Sequence, residues 1–309
     1  MTVHDGNGWS RCGRGHRHWG RHGAAGLLVT APDAAGQPTV LLQQRSWWGS
    51  HGGAWGPPGG ARDSHESELH AALREATEEC ALDPASVTVH GVLKDDHGGW
   101  SYQTVLANAP RLVCAVAVSE ETREVAWVPV EAVASLRLHP GFAEQWNALR
   151  AALVPLTIIV DVANVMGSRP DGWWRDRAGA AERLVGEVAG LAARGVTSLP
   201  DSLGVAVLER WYPRFIVVLE GAAGRARGLA GAEGPAGAEG PAGAEGPAGA
   251  ERPAIEVVKA PGSGDDEIAS LAASVPGDRL VVTADRELRA RCEASGASVI
   301  GPRWLLDLL

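Results

Sequence analysis

The chain has 309 residues, of which 45% are hydrophobic, and this length predicts two domains that can each bury a core. Its net charge of −9 argues against a protein that coats DNA regardless of sequence, because such binding depends on excess positive charge. The apolar runs are too short for a transmembrane helix and the N-terminus lacks a secretory apolar core, so we expect a cytoplasmic protein.

The first 23 residues form a basic, histidine-rich segment in which Cys12 lies near His16, His18 and His22. The four cysteines of the chain are scattered, and this favours reduced, buried thiols. A metal site around Cys12 is the alternative, although the second cysteine of the usual zinc spacing is missing.

Residues 24–154 have the pattern of a strand-rich α+β domain. Two strands at 24–30 and 39–44 precede a loop rich in glycine and tryptophan, and a helix follows at 64–80 with Ser64 or Asp63 as its N-cap. The later elements are predicted strands at 87–94, 102–106, 112–118 and 125–128, and a helix at 141–152. Trp47, Trp48 and Trp100 could stack on a nucleobase or simply pack in the core.

Residues 155–309 alternate strands and helices, and this alternation predicts a doubly wound parallel α/β domain. Its first strand, 156–161, is almost entirely apolar, as expected for a strand buried on both faces. Further strands are predicted at 215–220, 255–259, 280–283 and 298–300, and helices at 178–193, from 265, at 286–295 and at 303–309.

A low-complexity insert is predicted at 222–254, where the unit GAEGPA occurs three times. Glycine at every third position suggests a collagen-like trimer. The run is too short for that structure and its period breaks at Arg252, so a flexible surface loop is favoured.

Three glutamates of the first predicted long helix form the clearest candidate site. Glu75, Glu78 and Glu79 recur at spacings of three and four, so a helix places them on one face. Clustered carboxylates repel one another unless a cation compensates them, and oxygen ligands favour Mg²⁺ or Mn²⁺, which also bind diphosphate oxygens. The alternative is an acidic, solvated helix face.

The residues around this face have a fixed spacing. Gly60 is followed after five residues by Glu66, and seven more lead to Arg74. Gly59 and Gly60 let the backbone approach a phosphate closely, and Glu66 can pair with Arg74 to brace the loop. This spacing favours the metal site over the plain acidic face.

With this spacing the stretch from Gly60 to Leu82 resembles the Nudix hydrolase family. The matching helical motif reads Arg74-Glu75-Ala76-Thr77-Glu78-Glu79-Cys80-Ala81-Leu82. The resemblance covers about residues 20–150. It implies a Nudix α/β/α sandwich that hydrolyses a nucleoside diphosphate linked to another group.

The resemblance also assigns roles to individual residues. It implies that Glu75, Glu78 and Glu79 are catalytic metal ligands and that a later loop supplies a further catalytic carboxylate, for which Glu121 is the best-placed candidate. Gly59, Gly60 and Arg74 are the predicted substrate-binding residues, and Glu66 has a structural role.

The family pattern has glycine where this chain has Ala81. That glycine is expected to end the helix with a positive φ, where alanine costs about 1 kcal/mol. We therefore expect lower stability with the metal ligands intact.

A second candidate site lies in the C-terminal half. Asp161 and Asp285 follow predicted parallel strands, and Asp265 opens a helix after another strand. Ligand sites in open α/β sheets form at that edge, so three converging aspartates would bind Mg²⁺ and activate water for phosphodiester cleavage, with Asn164 orienting a ligand or phosphate. In the alternative, each aspartate is only a helix cap or turn residue.

The motifs around these residues resemble PIN-like nuclease domains of the NYN type over about residues 155–309. They are Asp161-Val162-Ala163-Asn164-Val165, Ser263-Gly264-Asp265-Asp266-Glu267-Ile268 and Thr283-Ala284-Asp285-Arg286-Glu287-Leu288. Tryptophan and arginine residues are interleaved within 169–177, which suits single-stranded RNA or, equally, a packed loop.

The sequence thus predicts a Mg²⁺-dependent (or Mn²⁺-dependent) Nudix pyrophosphohydrolase acting on a nucleoside diphosphate derivative, fused to a PIN-like domain that cleaves RNA. Two alternatives stay open. The Nudix domain could sense a nucleotide and regulate a PIN-like ribonuclease, or both domains could be binding modules.

Overall fold

The computed structural model describes residues 4–221, 223–226 and 255–309. Two compact units divide them: one holds the residues up to Leu153 together with Ala206–Glu209, and the other holds Val154–Val205 and the described residues from Arg210 onward. Most of the predicted insert lies outside the described residues. Within the described ranges, none of the helices combines the length and apolar character needed to cross a membrane.

The first unit is a twisted sheet with an added hairpin and two helices. Its strands are β1 (Trp9–Arg11), β2 (Arg17–Trp19), β3 (Ala24–Pro32), β4 (Pro38–Arg45), β5 (Trp55–Gly56), β6 (Gly59–Ala61), β7 (Thr88–Asp96), β8 (Ser101–Asn108) and β9 (Thr122–Pro129). Its helices are α1 (Glu68–Cys80) and α2 (Pro140–Ala151), with 3-10 turns at Pro84–Ser86 and Val130–Ser135.

The sheet of the first unit is built around β3. The strand order is β7-β8-β3-β4-β5, with β6 paired to β3 and β9 paired to β4, while β1 and β2 pair separately. β3 runs parallel to β8 with Leu27 opposite Val105, and β7 is antiparallel to β8. All but the last residue of β3 are buried, because apolar residues on both of its faces are covered.

Helix α1 contacts β3 and carries the candidate glutamates. Its buried residues Leu69, Leu73 and Ala76 follow helical spacing and fix the face that packs on the sheet. The helix begins at Glu68, later than predicted. Its N-cap is Ser67, whose Oγ accepts a 3.2 Å hydrogen bond from His70 N, so the expectation of Ser64 or Asp63 is wrong.

The predicted strand at 112–118 is also wrong. This segment has no regular secondary structure, and Leu112, Val116 and Val118 are largely exposed. Val116 N and Val118 N donate to the carbonyl oxygens of Cys80 and Glu79. The segment therefore satisfies backbone acceptors at the end of α1, which a helix cannot satisfy internally.

The second unit is a five-stranded parallel sheet with helices on its faces. The strands of this sheet are β10 (Leu156–Asp161), β12 (Arg214–Leu219), β13 (Ile255–Lys259), β14 (Asp278–Val282) and β15 (Ser298–Ile300), and a short strand outside the sheet is β11 (Arg210–Trp211). Its helices are α3 (Val162–Gly167), α4 (Arg177–Arg194), α5 (Gly264–Ser274), α6 (Arg286–Ala294) and α7 (Pro302–Leu306), with 3-10 turns at Trp173–Arg175, Asp201–Leu203 and Ala223–Arg225.

The strand order of this sheet is β13-β12-β10-β14-β15, and every neighbouring pair is parallel. The chain moves outward from β10 in one direction and then returns to its other side. Ile159 packs against α5 and α6, while Ile158 on the opposite face is equally buried, so both faces are covered. Such sheets bind ligands where the strand order reverses, here at the carboxyl ends of β10 and β14.

Candidate functional site

The three candidate glutamates of α1 differ in burial. Glu79 is only 6% exposed, Glu75 is partly buried and Glu78 is exposed. The helix face thus runs from the protein interior toward solvent. An ion held on such a face could contact protein carboxylates on one side and a solvent-borne substrate on the other.

Glu79 is fixed by two hydrogen bonds to its Oε2. Gly59 N donates at 2.8 Å and Gln43 Nε2 donates at 2.7 Å. The Gln43 Oε1 in turn accepts from Thr122 Oγ1 at 2.5 Å. Burial, opposed by the bond from Gly59 and reinforced by the nearby Glu75 charge, raises the pKa of Glu79 to about 7.

Arg74 connects the other acidic residues. Its Nε lies 2.6 Å from Glu66 Oε1 and its Nη2 lies 3.0 Å from Glu66 Oε2, which makes a bidentate pair. Its Nη1 donates to Glu75 at 2.8 Å and to Glu78 at 3.1 Å, and Nη2 also donates to Ala61 O. The bond to Glu66 is the main reason why the pKa of Arg74 is raised.

Gly59 and Gly60 have no room for a side chain. A Cβ on Gly60 would lie 2.6 Å from the carboxyl carbon of Glu75, and one on Gly59 would lie 2.5 Å from Ala25 O. Gly60 therefore lets the backbone of β6 lie directly against Glu75 of α1, and Gly59 lets the same strand lie close to β3.

Ala81 ends α1 in the left-handed region, with φ 51° and ψ 29°. Its N–H donates to Thr77 O at 3.0 Å and Leu82 N donates to Ala76 O at 3.3 Å. These bonds close the last turn as a glycine would close it, while the Cβ of alanine adds strain.

Glu121 is exposed and immediately precedes β9. Its carbonyl accepts from Ser46 N at 2.8 Å, which ties this segment to the loop after β4. The next residue, Thr122, belongs to the chain of hydrogen bonds that reaches Glu79 through Gln43. A catalytic role for the Glu121 carboxylate stays a prediction.

A cavity of about 400 Å³ adjoins this face of the first unit. Gln43 and Gly59 line it, and the three arginines of its wall, Arg14, Arg17 and Arg45, outnumber its two acidic residues, Asp95 and Glu144. His51 and His139 also line it, and burial lowers the pKa of His139 to about 4. Trp100 also lines it but is only 9% exposed, and its Nε1 donates to Gly20 O. Trp47 and Trp48 are 62% and 70% exposed.

The second unit gathers carboxylates at the switch point of its sheet. Asp161 is 7% exposed, and its oxygens accept from Asn164 N at 3.0 Å and Thr283 Oγ1 at 2.8 Å. Burial is the main cause of its raised pKa, and the charges of Asp265 and Glu220 add to it. Glu220 and Asp265 follow β12 and β13 at the same edge of the sheet.

The remaining predicted residues of this cluster have mixed roles. Burial and the charges of Asp285 and Glu220 raise the pKa of Asp265, so Asp285 belongs to the same group. Asp285 also caps α6 by accepting from Leu288 N at 2.8 Å. Asn164 Oδ1 accepts from Ala284 N at 3.0 Å, which joins the β10 and β14 loops.

Glu220 is the residue of this cluster that the sequence analysis missed. It directly follows β12, and its Oε2 accepts from Gly264 N at 2.8 Å. The available signal was an acidic residue at the carboxyl end of an apolar strand, the same position that Asp161 occupies on β10. The prediction had placed Glu220 inside the strand instead.

Comparison with known proteins identifies the family of the first unit. The NUDIX domain family matches residues 20–151. The chain is 46% identical over 160 residues to "Putative 8-oxo-dGTP diphosphatase 3" of Mycobacterium tuberculosis, covering 50% of this chain and 72% of that protein. The chain therefore belongs to the Nudix family, and the enzyme class predicted from the sequence, a Nudix pyrophosphohydrolase, agrees with this membership.

Two further similar proteins are a fusion protein and a protein of solved structure. Over 157 residues the chain is 38% identical to a "Nucleoside triphosphate pyrophosphatase/Nudix hydrolase fusion protein" of Bifidobacterium longum, covering 49% of this chain and 33% of that protein. The crystal structure of a Nudix hydrolase from M. smegmatis, RenU, is 45% identical and covers 47% of this chain and 93% of that one, with a TM-score of 0.44.

Proposed function

We propose that the first unit uses Mg²⁺ or Mn²⁺ to hydrolyse the diphosphate linkage of a nucleotide derivative. The observation that carries this proposal is the position of Glu79 and Glu75 on α1 directly against the backbone of Gly59 and Gly60. Two partly desolvated carboxylates beside two consecutive glycines of β6 form a place where a cation and a phosphate can meet.

The donor set fits the proposed ion. Glu75, Glu78 and Glu79 offer only carboxylate oxygens, the ligands that Mg²⁺ prefers. When bound, the ion would neutralise charge on the phosphate oxygens and activate water. The protein's own part is orientation: Arg74 holds Glu75 and Glu78, Glu66 holds Arg74, and Gly59 holds Glu79.

The basic cavity supports a polyphosphate substrate. Its volume of about 400 Å³ lies in the usual range for small-molecule sites. Arg14, Arg17 and Arg45 in its wall suit several phosphate charges. Because a 46% identical relative is named a putative 8-oxo-dGTP diphosphatase, we propose purine nucleoside triphosphates as the first substrates to test.

The test uses the full chain with Mg²⁺ and a panel of nucleoside triphosphates, 8-oxo-dGTP, ADP-ribose and dinucleoside polyphosphates. We expect Glu79→Gln to lower kcat by about 10²-fold or more. Glu68→Gln is the matched control, since it makes the same change in the first turn of α1. Activity that survives unchanged in Glu79→Gln would overturn the proposal.

A second function is proposed for the other unit: a PIN-like domain that cleaves single-stranded RNA with a divalent ion. The supporting observation is that Asp161, Glu220, Asp265 and Asp285 all lie at or shortly after the carboxyl ends of the parallel strands β10, β12, β13 and β14. We expect Asp161→Asn to abolish RNA cleavage. The matched control is Asp201→Asn, in an exposed 3-10 turn of the same unit.

The two assays together separate the alternatives. RNA cleavage lost in Asp161→Asn, without nucleotide hydrolysis in any variant, would favour a nucleotide-sensing Nudix module. Turnover of neither substrate class would favour two binding modules. Hydrolysis of nucleotides without RNA cleavage would leave the first proposal standing and overturn the second.

A further inference from the structure

Four metal-binding side chains other than the glutamates of α1 meet in the first unit, and three of them, His16, His18 and His97, line the cavity described above. Cys12, His16, His18 and His97 each offer one ligand atom, and these atoms all lie within 4.8 Å of one another. Three come from the hairpin formed by β1 and β2, and the fourth comes from the turn between β7 and β8. A thiolate with three imidazoles is a donor set typical of zinc.

Backbone hydrogen bonds hold the hairpin in the shape that brings these residues together. Cys12 N donates to His16 O at 3.0 Å, and Gly15 N donates to Cys12 O at 2.9 Å. Gly13 N donates to Gly98 O at 2.5 Å, which brings this turn beside His97. The cluster therefore rests on main-chain contacts.

Two ring nitrogens in the cluster are buried and lack hydrogen-bond partners. They are Nε2 of His18 and Nδ1 of His97. Leaving such a nitrogen buried and unpaired is unfavourable, so the pair points to a ligand. Their positions coincide with the only four-residue cluster of Cys and His found among the described residues.

The outer contacts of the histidines match those of metal ligands. His97 Nε2 lies 3.0 Å from Asp95 Oδ2, which leaves Nδ1 free to bind an ion. A carboxylate behind a histidine fixes the ring and strengthens it as a ligand. His18 is held by stacking on Trp100, with ring centroids 4.0 Å apart and an interplanar angle of 13°.

The ligand atoms differ in their access to solvent. Cys12 is only 6% exposed, so its thiol lies on the protein side of the cluster. His16 is exposed and gives an ion a path from solvent. His22, which the sequence grouped with these residues, pairs instead with Asp5 at 3.7 Å.

We propose that Cys12, His16, His18 and His97 bind one Zn²⁺ ion. Four protein ligands complete a tetrahedral shell, so this zinc is structural and ties the β1–β2 hairpin to the β7–β8 turn. The hairpin supplies Arg14 and Arg17 to the basic cavity. Zinc would thus also order one wall of that cavity, a consequence that rests on the proposed function.

The test measures metal in the full chain purified without chelator. We expect about one zinc per chain by elemental analysis, and loss of that zinc in Cys12→Ser and His97→Ala. The matched controls are Cys114→Ser, at an exposed cysteine outside the cluster, and His22→Ala. Both controls, and Glu79→Gln, should retain zinc, which separates this site from the nucleotide site.

Two further measurements keep the proposal testable if a variant fails to fold. Cobalt added to the chelator-treated wild-type chain should give thiolate charge-transfer absorption and the visible bands of tetrahedral geometry. Asp95→Asn should weaken zinc binding by about 10- to 100-fold. Wild-type chain without zinc and without a cobalt spectrum would overturn the proposal, as would zinc retained in both Cys12→Ser and His97→Ala.

Discussion

Replacing Ala81 with glycine should stabilise the first unit. Ala81 adopts φ 51° and ψ 29° at the end of α1, where a Cβ crowds the next carbonyl and costs about 1 kcal/mol. Glycine removes this strain but has more freedom to lose on folding, roughly 0.5 kcal/mol. Because the hydrogen bond from residue 81 to Thr77 O uses backbone atoms, it survives the change. The net gain is about 0.5 kcal/mol.

For a unit of this size the gain corresponds to a rise in Tm of about 1–2 °C, measurable by calorimetry on the full chain. Ala151→Gly is the matched control, since Ala151 is the exposed last residue of α2 in the same unit. There the same change should lower stability by about 0.5–1 kcal/mol. Equal losses in both variants would refute a strained helix end at Ala81.

The activity of Ala81→Gly shows whether the strain at Ala81 affects catalysis as well as stability. Ala81 contributes only backbone hydrogen bonds to the end of α1, and Glu75, Glu78 and Glu79 keep their positions in either variant. We therefore expect the kcat of Ala81→Gly to stay within about twofold of wild type, which is less than 0.5 kcal/mol in activation free energy. A large rise in kcat would show that the departure from the family pattern limits catalysis.

Three further outcomes are expected. Arg74→Lys loses the bidentate bond to Glu66 and should cost about 1–2 kcal/mol of unfolding free energy, whereas Arg150→Lys, at an exposed pair, should cost almost nothing in urea denaturation. His90 is 1% exposed, and burial lowers its pKa to about 4. Below pH 6.5 the His90 side chain is protonated in the unfolded chain but stays neutral in the folded chain. Protonation therefore favours unfolding, and the free energy of unfolding falls as pH falls from 6.5 toward 4. The gap in unfolding free energy between wild type and His90→Gln should change by about 1.4 kcal/mol per pH unit between pH 6 and 5; a constant gap would contradict the pKa assignment. Glu220→Gln should impair RNA cleavage as Asp161→Asn does, and unimpaired cleavage would remove Glu220 from that site.

The parallel sheet was the most predictable part of the fold. β13 and β15 have the predicted bounds, and β10 has the predicted range of 156–161. Short apolar runs bounded by turn residues are typical of buried strands. The wrong strand at 112–118 has similar apolar content, yet its side chains face solvent and its amides bond the end of α1. The local hydrophobic pattern could not reveal that this segment hydrogen-bonds the end of α1 instead of joining a sheet.

The same limit applies to the sites. Glu75, Glu78 and Glu79 share a helix, so their spacing predicted their proximity. The Cys12 cluster depends on His97, which lies far along the chain and is brought to it by tertiary contacts such as the hydrogen bond from Gly13 N to Gly98 O. Ser67 caps α1 in preference to Ser64, whose amide instead donates to Asp5 Oδ1. Long-range contacts decided each of these cases.

Binding of Mn²⁺ to the acidic face of α1, followed by electron paramagnetic resonance of the free ion, tests the proposed metal site most directly. The measurement uses the full chain with the substitution Asp161→Asn in every sample, so that the carboxylates of the second unit contribute little to Mn²⁺ binding. Loss of a group that only hydrogen-bonds a metal ligand weakens metal binding by roughly tenfold or more. We therefore expect Glu79→Gln, which alters a ligand itself, to weaken Mn²⁺ binding by at least about tenfold, and Glu68→Gln to leave it unchanged. Equal Mn²⁺ affinity in Glu79→Gln and Glu68→Gln would contradict a metal site at Glu75, Glu78 and Glu79.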